Sequence, residues 1–139
     1  MPLIDMGYKR AIRNFQQLHN KKIEVGLLDN TDNMASIWFW NEYGTSRIPE
    51  RPAFRTALRL NQENYKRFIL QRIRMMITGS IAPLTILENL GNRIVRDLQK
   101  SIIDWSDPPN AESTVKQKGF NDPLVNTGLM WVLIKYKLV

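Results

Sequence analysis

Nucleophilic, redox and metal chemistry draws on cysteine, histidine and closely grouped carboxylates, and this chain supplies few of them. It has no cysteine and one histidine, His19. Disulfides, thiolate catalysis and Cys-based zinc sites are therefore excluded, and no histidine cluster can form. A nucleophile–base triad would have to pass through His19, at the end of a helix that reads as surface. The carboxylates, among them Glu24, Glu42, Glu63, Asp97 and Asp122, are scattered. None forms a close pair in a setting that shifts a pKa. No glycine-rich phosphate loop is present; Gly119 and Gly128 stand singly. The expectation is no enzyme, no catalytic residue, no metal and no cofactor.

Aromatic and basic residues are the other candidates for function. Trp38, Phe39, Trp40 and Tyr43 place four rings within six residues. One short helix cannot turn them all inward, so two pack in the core and the outward ones are free to anchor a subunit interface. Trp and Tyr dominate interface hot spots, which makes Trp38, Trp40 and Tyr43 interface candidates. A nucleobase-stacking platform would want interleaved basic residues, and none lies between Met34 and Tyr43. The net charge of +7 invites a nucleic-acid reading. The cations, however, are spread from Lys9 through Arg47 and Arg51 to Arg74 without the density of a binding arm. They read as solvated helix faces.

These residues sit on a chain of 139, the size of one domain, with 43% hydrophobic residues. No apolar run approaches the ~18 residues of a membrane span. Met1-Pro2-Leu3-Ile4-Asp5 lacks the start of a secretory signal. The chain reads as soluble and made in a cytosol. Met6, Ile12, Phe15 and Leu18 give an amphipathic helix over about 5–19, stopped at Asn20. Alternation of Ile23, Val25 and Leu27 gives a strand. A turn follows, with Asp32 or Asn33 able to cap a short buried helix over 34–43 that ends at Gly44. Arg51-Pro52 opens a helix of about 40 Å running towards Ile77. Its stripe is Phe54, Leu58, Tyr65, Phe68, Ile69, Ile73 and Met76. Thr78-Gly79-Ser80 breaks it, and Pro83 starts another helix with Leu87, Leu90, Ile94, Leu98 and Ile102 on one face. An extended polar loop covers about 108–127. Ile134, Tyr136 and Leu138 then form a last strand, expected to pair with the strand over 22–28. A two-stranded ribbon is marginal alone, so helices or neighbouring subunits must cover it.

Two segments carry a resemblance. The first is Asn41-Glu42-Tyr43-Gly44-Thr45, then Ile48-Pro49 and Arg51-Pro52-Ala53-Phe54. The second is Pro108-Pro109-Asn110, then Ser113-Thr114, Lys118-Gly119, Pro123-Leu124 and Thr127-Gly128. In that order, across most of the chain, they resemble the neck, tail-completion and virion-morphogenesis proteins of tailed bacteriophages. Ala53 departs from the family pattern, in which proline and phenylalanine are adjacent.

The resemblance implies one α+β domain over 1–139, with long amphipathic helices on a small antiparallel sheet. It implies a structural virion protein without catalysis. Its subunits would form a ring of six or twelve copies joining the tail tube or tail terminator to the head connector or adaptor. Genome DNA would pass through the lumen without sequence recognition, and no membrane is involved. Gly44 allows a tight turn, and Ile48-Pro49 makes a stiff loop presenting Arg47 and Arg51. Arg47, Ile48, Pro49, Arg51 and Phe54 are then candidates for intersubunit contact. The competing reading has Arg51 serving its own fold and Phe54 in the core. Asn110, Ser113, Thr114, Lys116 and Lys118 would meet a neighbour through the long loop. The alternative function is a basic DNA-binding or regulatory protein of a phage or mobile element.

Over 108–127 the large apolar residues are few, and fixing each backbone residue costs ~1–2 kcal/mol. Amides over 115–124 are expected to gain hydrogen-exchange protection when free chain assembles into particles. Equal protection in both states would refute this.

Overall fold

A computed structural model describes residues 7–29, 33–106, 108 and 132–139. Its elements are α1 (Tyr8–Leu18), β1 (Ile23–Leu27), α2 (Met34–Tyr43), α3 (Ala53–Ile77), α4 (Pro83–Asp104) and β2 (Ile134–Leu138). The protein is α+β, with four helices and a two-stranded antiparallel sheet among the described residues. The long loop expected over 108–127, with Asn110, Ser113, Thr114, Lys116 and Lys118, lies outside them, apart from Pro108.

The two strands pair as the alternation predicts. Ile23 faces Leu138, Val25 faces Tyr136 and Leu27 faces Ile134. These six residues share one side of the pleat and pack against α4, which supplies the cover that a lone ribbon lacks. On the other side Glu24 and Lys137, directly opposite in register, form an ion pair at 3.3 Å. Lys135 reaches Asp29 at 2.8 Å beyond the end of β1.

The long helices α3 and α4 pack on each other and hold two apolar clusters. Phe54, Ala57, Leu98, Ile102, Met34 and Ile134 make the first, near the start of α3. Tyr65, Phe68 and Leu90 make the second, further along. The expected stripes need three corrections. Leu58 is exposed, because the buried position in that turn belongs to Ala57. On α4 the buried face is Ile86, Leu90, Gly91, Leu98 and Ile102, and Leu87 and Ile94 lie at its margin. On α1 no residue is buried; Ile12 and Phe15 face outward. The helix instead turns Ala11, Asn14 and Leu18 towards the body. Asn14 donates to the Met76 carbonyl at 3.4 Å, which also accepts the Gly79 N–H at 3.0 Å where α3 ends.

Helix α4 bears against the sheet at a glycine. A Cβ on Gly91 would lie 2.5 Å from Cγ of Tyr136, so only a bare backbone admits that ring. Glycine inside a helix ordinarily costs up to about 1 kcal/mol relative to alanine. Here Gly91→Ala is expected to destabilise the chain by about 1–3 kcal/mol, as overpacking does. In a Tyr136→Ala background the same change should become neutral or stabilising. Urea unfolding of the four chains in this cycle checks both signs.

Candidate functional site

The corner between α2 and α3 is built around a buried carboxylate. Pro52 stands at the N-cap of α3 and offers no side-chain oxygen to the amides of the first turn. Glu42, 1% exposed on the inward side of α2, supplies it from outside the helix. Its Oε2 accepts the Phe54 N–H at 3.1 Å and its Oε1 the Arg55 N–H at 2.8 Å. The positive end of the helix dipole favours that charge. Arg55 returns to Glu42 twice, through Nε to the carboxylate at 3.3 Å and through Nη2 to the carbonyl at 2.6 Å. It also pairs with Glu50, which draws the connecting loop back onto α3.

Each residue of Asn41-Glu42-Tyr43-Gly44-Thr45 has a place in this corner. The Asn41 carbonyl accepts the Arg51 N–H at 2.6 Å, and its Nδ2 donates to the Ile37 carbonyl at 2.9 Å. Tyr43 lies under the Arg55 guanidinium, 4.5 Å from the ring centre. Gly44 has φ of 74°, and a Cβ there would come within 3.1 Å of the Glu50 nitrogen. The Thr45 hydroxyl accepts the N–H groups of Arg47 and Ile48, at 3.2 and 3.0 Å.

The candidates from the sequence divide accordingly. Arg51 is not presented outward, as the stiff-loop reading expected. It is 6% exposed and donates through Nε to the Pro108 carbonyl at 2.9 Å and through Nη1 to Asn41 at 3.4 Å. Burial lowers its pKa from the usual arginine value. Phe54 is likewise inside, 5.0 Å from the half-buried Trp38 ring. Arg47 and Pro49 are exposed and Ile48 is half-buried. Phe39, Trp40 and Tyr43 remain outside, 53%, 46% and 48% exposed, as four rings on one short helix require. Phe39 packs on Tyr43 with ring centres 4.8 Å apart. The corner therefore offers an exposed aromatic rim with the Arg55 guanidinium over Tyr43, tied to α3 through Glu42 and Arg55.

Glu42 and Arg55 were not singled out by the sequence reading. One signal was available: a long helix opening on proline, with no Ser, Thr, Asp or Asn at its cap, must find an acceptor elsewhere.

A second feature is a cleft of about 810 Å³ between α3 and α4. Arg72 comes from α3, and Arg93, Arg96 and Lys100 come from α4. The guanidiniums of Arg72 and Arg93 both lie over the Phe68 ring, at 4.7 and 5.2 Å. Asp97 also lines it, and accepts the Tyr65 hydroxyl at 2.6 Å. Burial, and then this bond, raise the Tyr65 phenol above the ordinary tyrosine range. Among the described residues no group of His, Cys, Asp and Glu could hold a metal ion, and no helix is long and apolar enough to cross a membrane.

Replacing Glu42 by glutamine sets an amide donor against a backbone donor and removes the charge. Glu42→Gln is expected to lower stability by about 1.5–3 kcal/mol, with Arg47→Glu within about 0.5 kcal/mol of wild type. Urea midpoints test the contrast. No family model matches this chain, and no curated protein or solved structure matches it.

Proposed function

We propose that this chain is a structural, non-catalytic virion protein of the neck or tail-completion layer of a tailed bacteriophage or related particle. Identical subunits close into a ring through heterologous contacts. The ring joins the tail to the head connector and leaves a channel for DNA. The observation that carries the reading is the outward aromatic rim of Phe39, Trp40 and Tyr43, with Arg47 exposed in the loop that follows α2. Large rings and an arginine on a rigid base are the composition of an interface hot spot. Two further features support it: the order of the two motif blocks along the chain, and the α+β build of long helices against a small sheet.

Arg51 and Phe54 are left out of the proposed contact because they are used within the subunit. Trp40→Ala combined with Arg47→Glu is expected to leave melting of the free chain unchanged and to cut particle yield at least tenfold. Electron microscopy of the wild-type lysate should place the chain in particles. Normal yield from the double variant, or a chain absent from particles as a regulator would be, overturns the proposal.

A further inference from the structure

We infer that the cleft between α3 and α4 is a binding site for the phosphodiester backbone of duplex nucleic acid, read without regard to base sequence. Four cations converge on it: Arg72 from one wall, and Arg93, Arg96 and Lys100 from the other. None of the three arginines lies within ion-pair distance of a described carboxylate. Among the described carboxylates, Lys100 pairs with the exposed Asp104. Among the described residues, the three cleft arginines thus meet no internal carboxylate. The one acid lining the cleft, Asp97, is engaged by the Tyr65 hydroxyl.

Spacing and burial select the polymer. Residues 93, 96 and 100 fall on one side of α4 and span about 10 Å along its axis. That row is long enough to meet successive phosphates of one strand. Single strands are recognised by bases stacked on exposed rings. Phe68 is 9% exposed and lies beneath two guanidiniums, so it offers no such platform. This inference deepens the proposed function by naming the surface that would face passing DNA. It rests on that reading only for which nucleic acid the cleft would meet.

The test uses the free wild-type chain and two unrelated duplexes, with fluorescence anisotropy across a salt series. Particle formation plays no part, so the assembly reading can fail while this one stands. Both duplexes are expected to bind alike, with log affinity falling by about three per tenfold rise in salt. Arg96→Gln with Lys100→Gln, both at exposed positions, should reduce that slope by about two and weaken binding at least tenfold. Arg13→Gln with Lys21→Gln removes the same charge away from the cleft and should change binding less than twofold. Equal losses from both pairs would show that net charge, not the cleft, attracts DNA. Unchanged binding by the cleft variant would overturn the site directly. Polyglutamate competing as well as duplex at equal charge would make an acidic protein segment the occupant, and overturn the assignment to nucleic acid.

Discussion

A 25-residue helix that begins at a proline presents first-turn amides with no acceptor of their own, and the fold is arranged around supplying one. Glu42 reaches them from α2, so the two helices cannot separate without exposing a buried charge and two amide donors together. Bonds to a charged acceptor are worth about 1.5–3 kcal/mol each, more than neutral ones. Arg55 closes the arrangement by binding the same carboxylate and the carbonyl behind it. With that junction set, Trp38 meets Phe54, and Ala53 lies close enough for its carbonyl to accept the Ser101 hydroxyl of α4 at 2.8 Å. One ionic cap thus fixes how α2, α3 and α4 meet.

Local pattern made most elements readable. Period-two alternation marked both strands, Gly44 marked the end of α2, and Pro52 and Pro83 marked the openings of α3 and α4. Each signal depends on residues a turn or two apart. What the sequence did not disclose depends on distant partners. Asn14 turns α1 towards the end of α3, against the direction its apolar residues favour. Gly91 looks like a weak point in a helix until the Tyr136 ring is placed against it. Arg51 and Arg47 looked equivalent in the loop; only the Pro108 carbonyl and Asn41 distinguish the buried one. The five-residue block around Glu42 was legible as a motif, but its residues serve backbone geometry, and its one ring, Tyr43, stays exposed.

The aromatic rim lies on α2, where it meets the start of α3, and the basic cleft lies further along α3 against α4. Arg55 stands at the start of α3 and Arg72 about 25 Å along it. No side chain is common to the two, so changes at one should add to changes at the other. The clusters beneath them differ as well: Phe54 and Leu98 support the corner, while Phe68 and Leu90 support the cleft. On the two proposals above, a protein neighbour and a polyanion would be held at once, without either competing for the other's residues.

The pairing of Ile23 with Leu138 joins the two ends of the described chain, and this sets an order of events during synthesis. Helices α3 and α4 are adjacent in sequence and can dock as soon as both emerge. The first strand must wait through all of that with its hydrogen-bonding edge open. Closing so long a loop is slow compared with forming a helical hairpin. Until β2 arrives, the flat place at Gly91 also lacks the Tyr136 ring that fills it. A nascent or truncated chain therefore displays an unpaired strand beside an empty apolar step, the arrangement that invites another copy's strand to settle there.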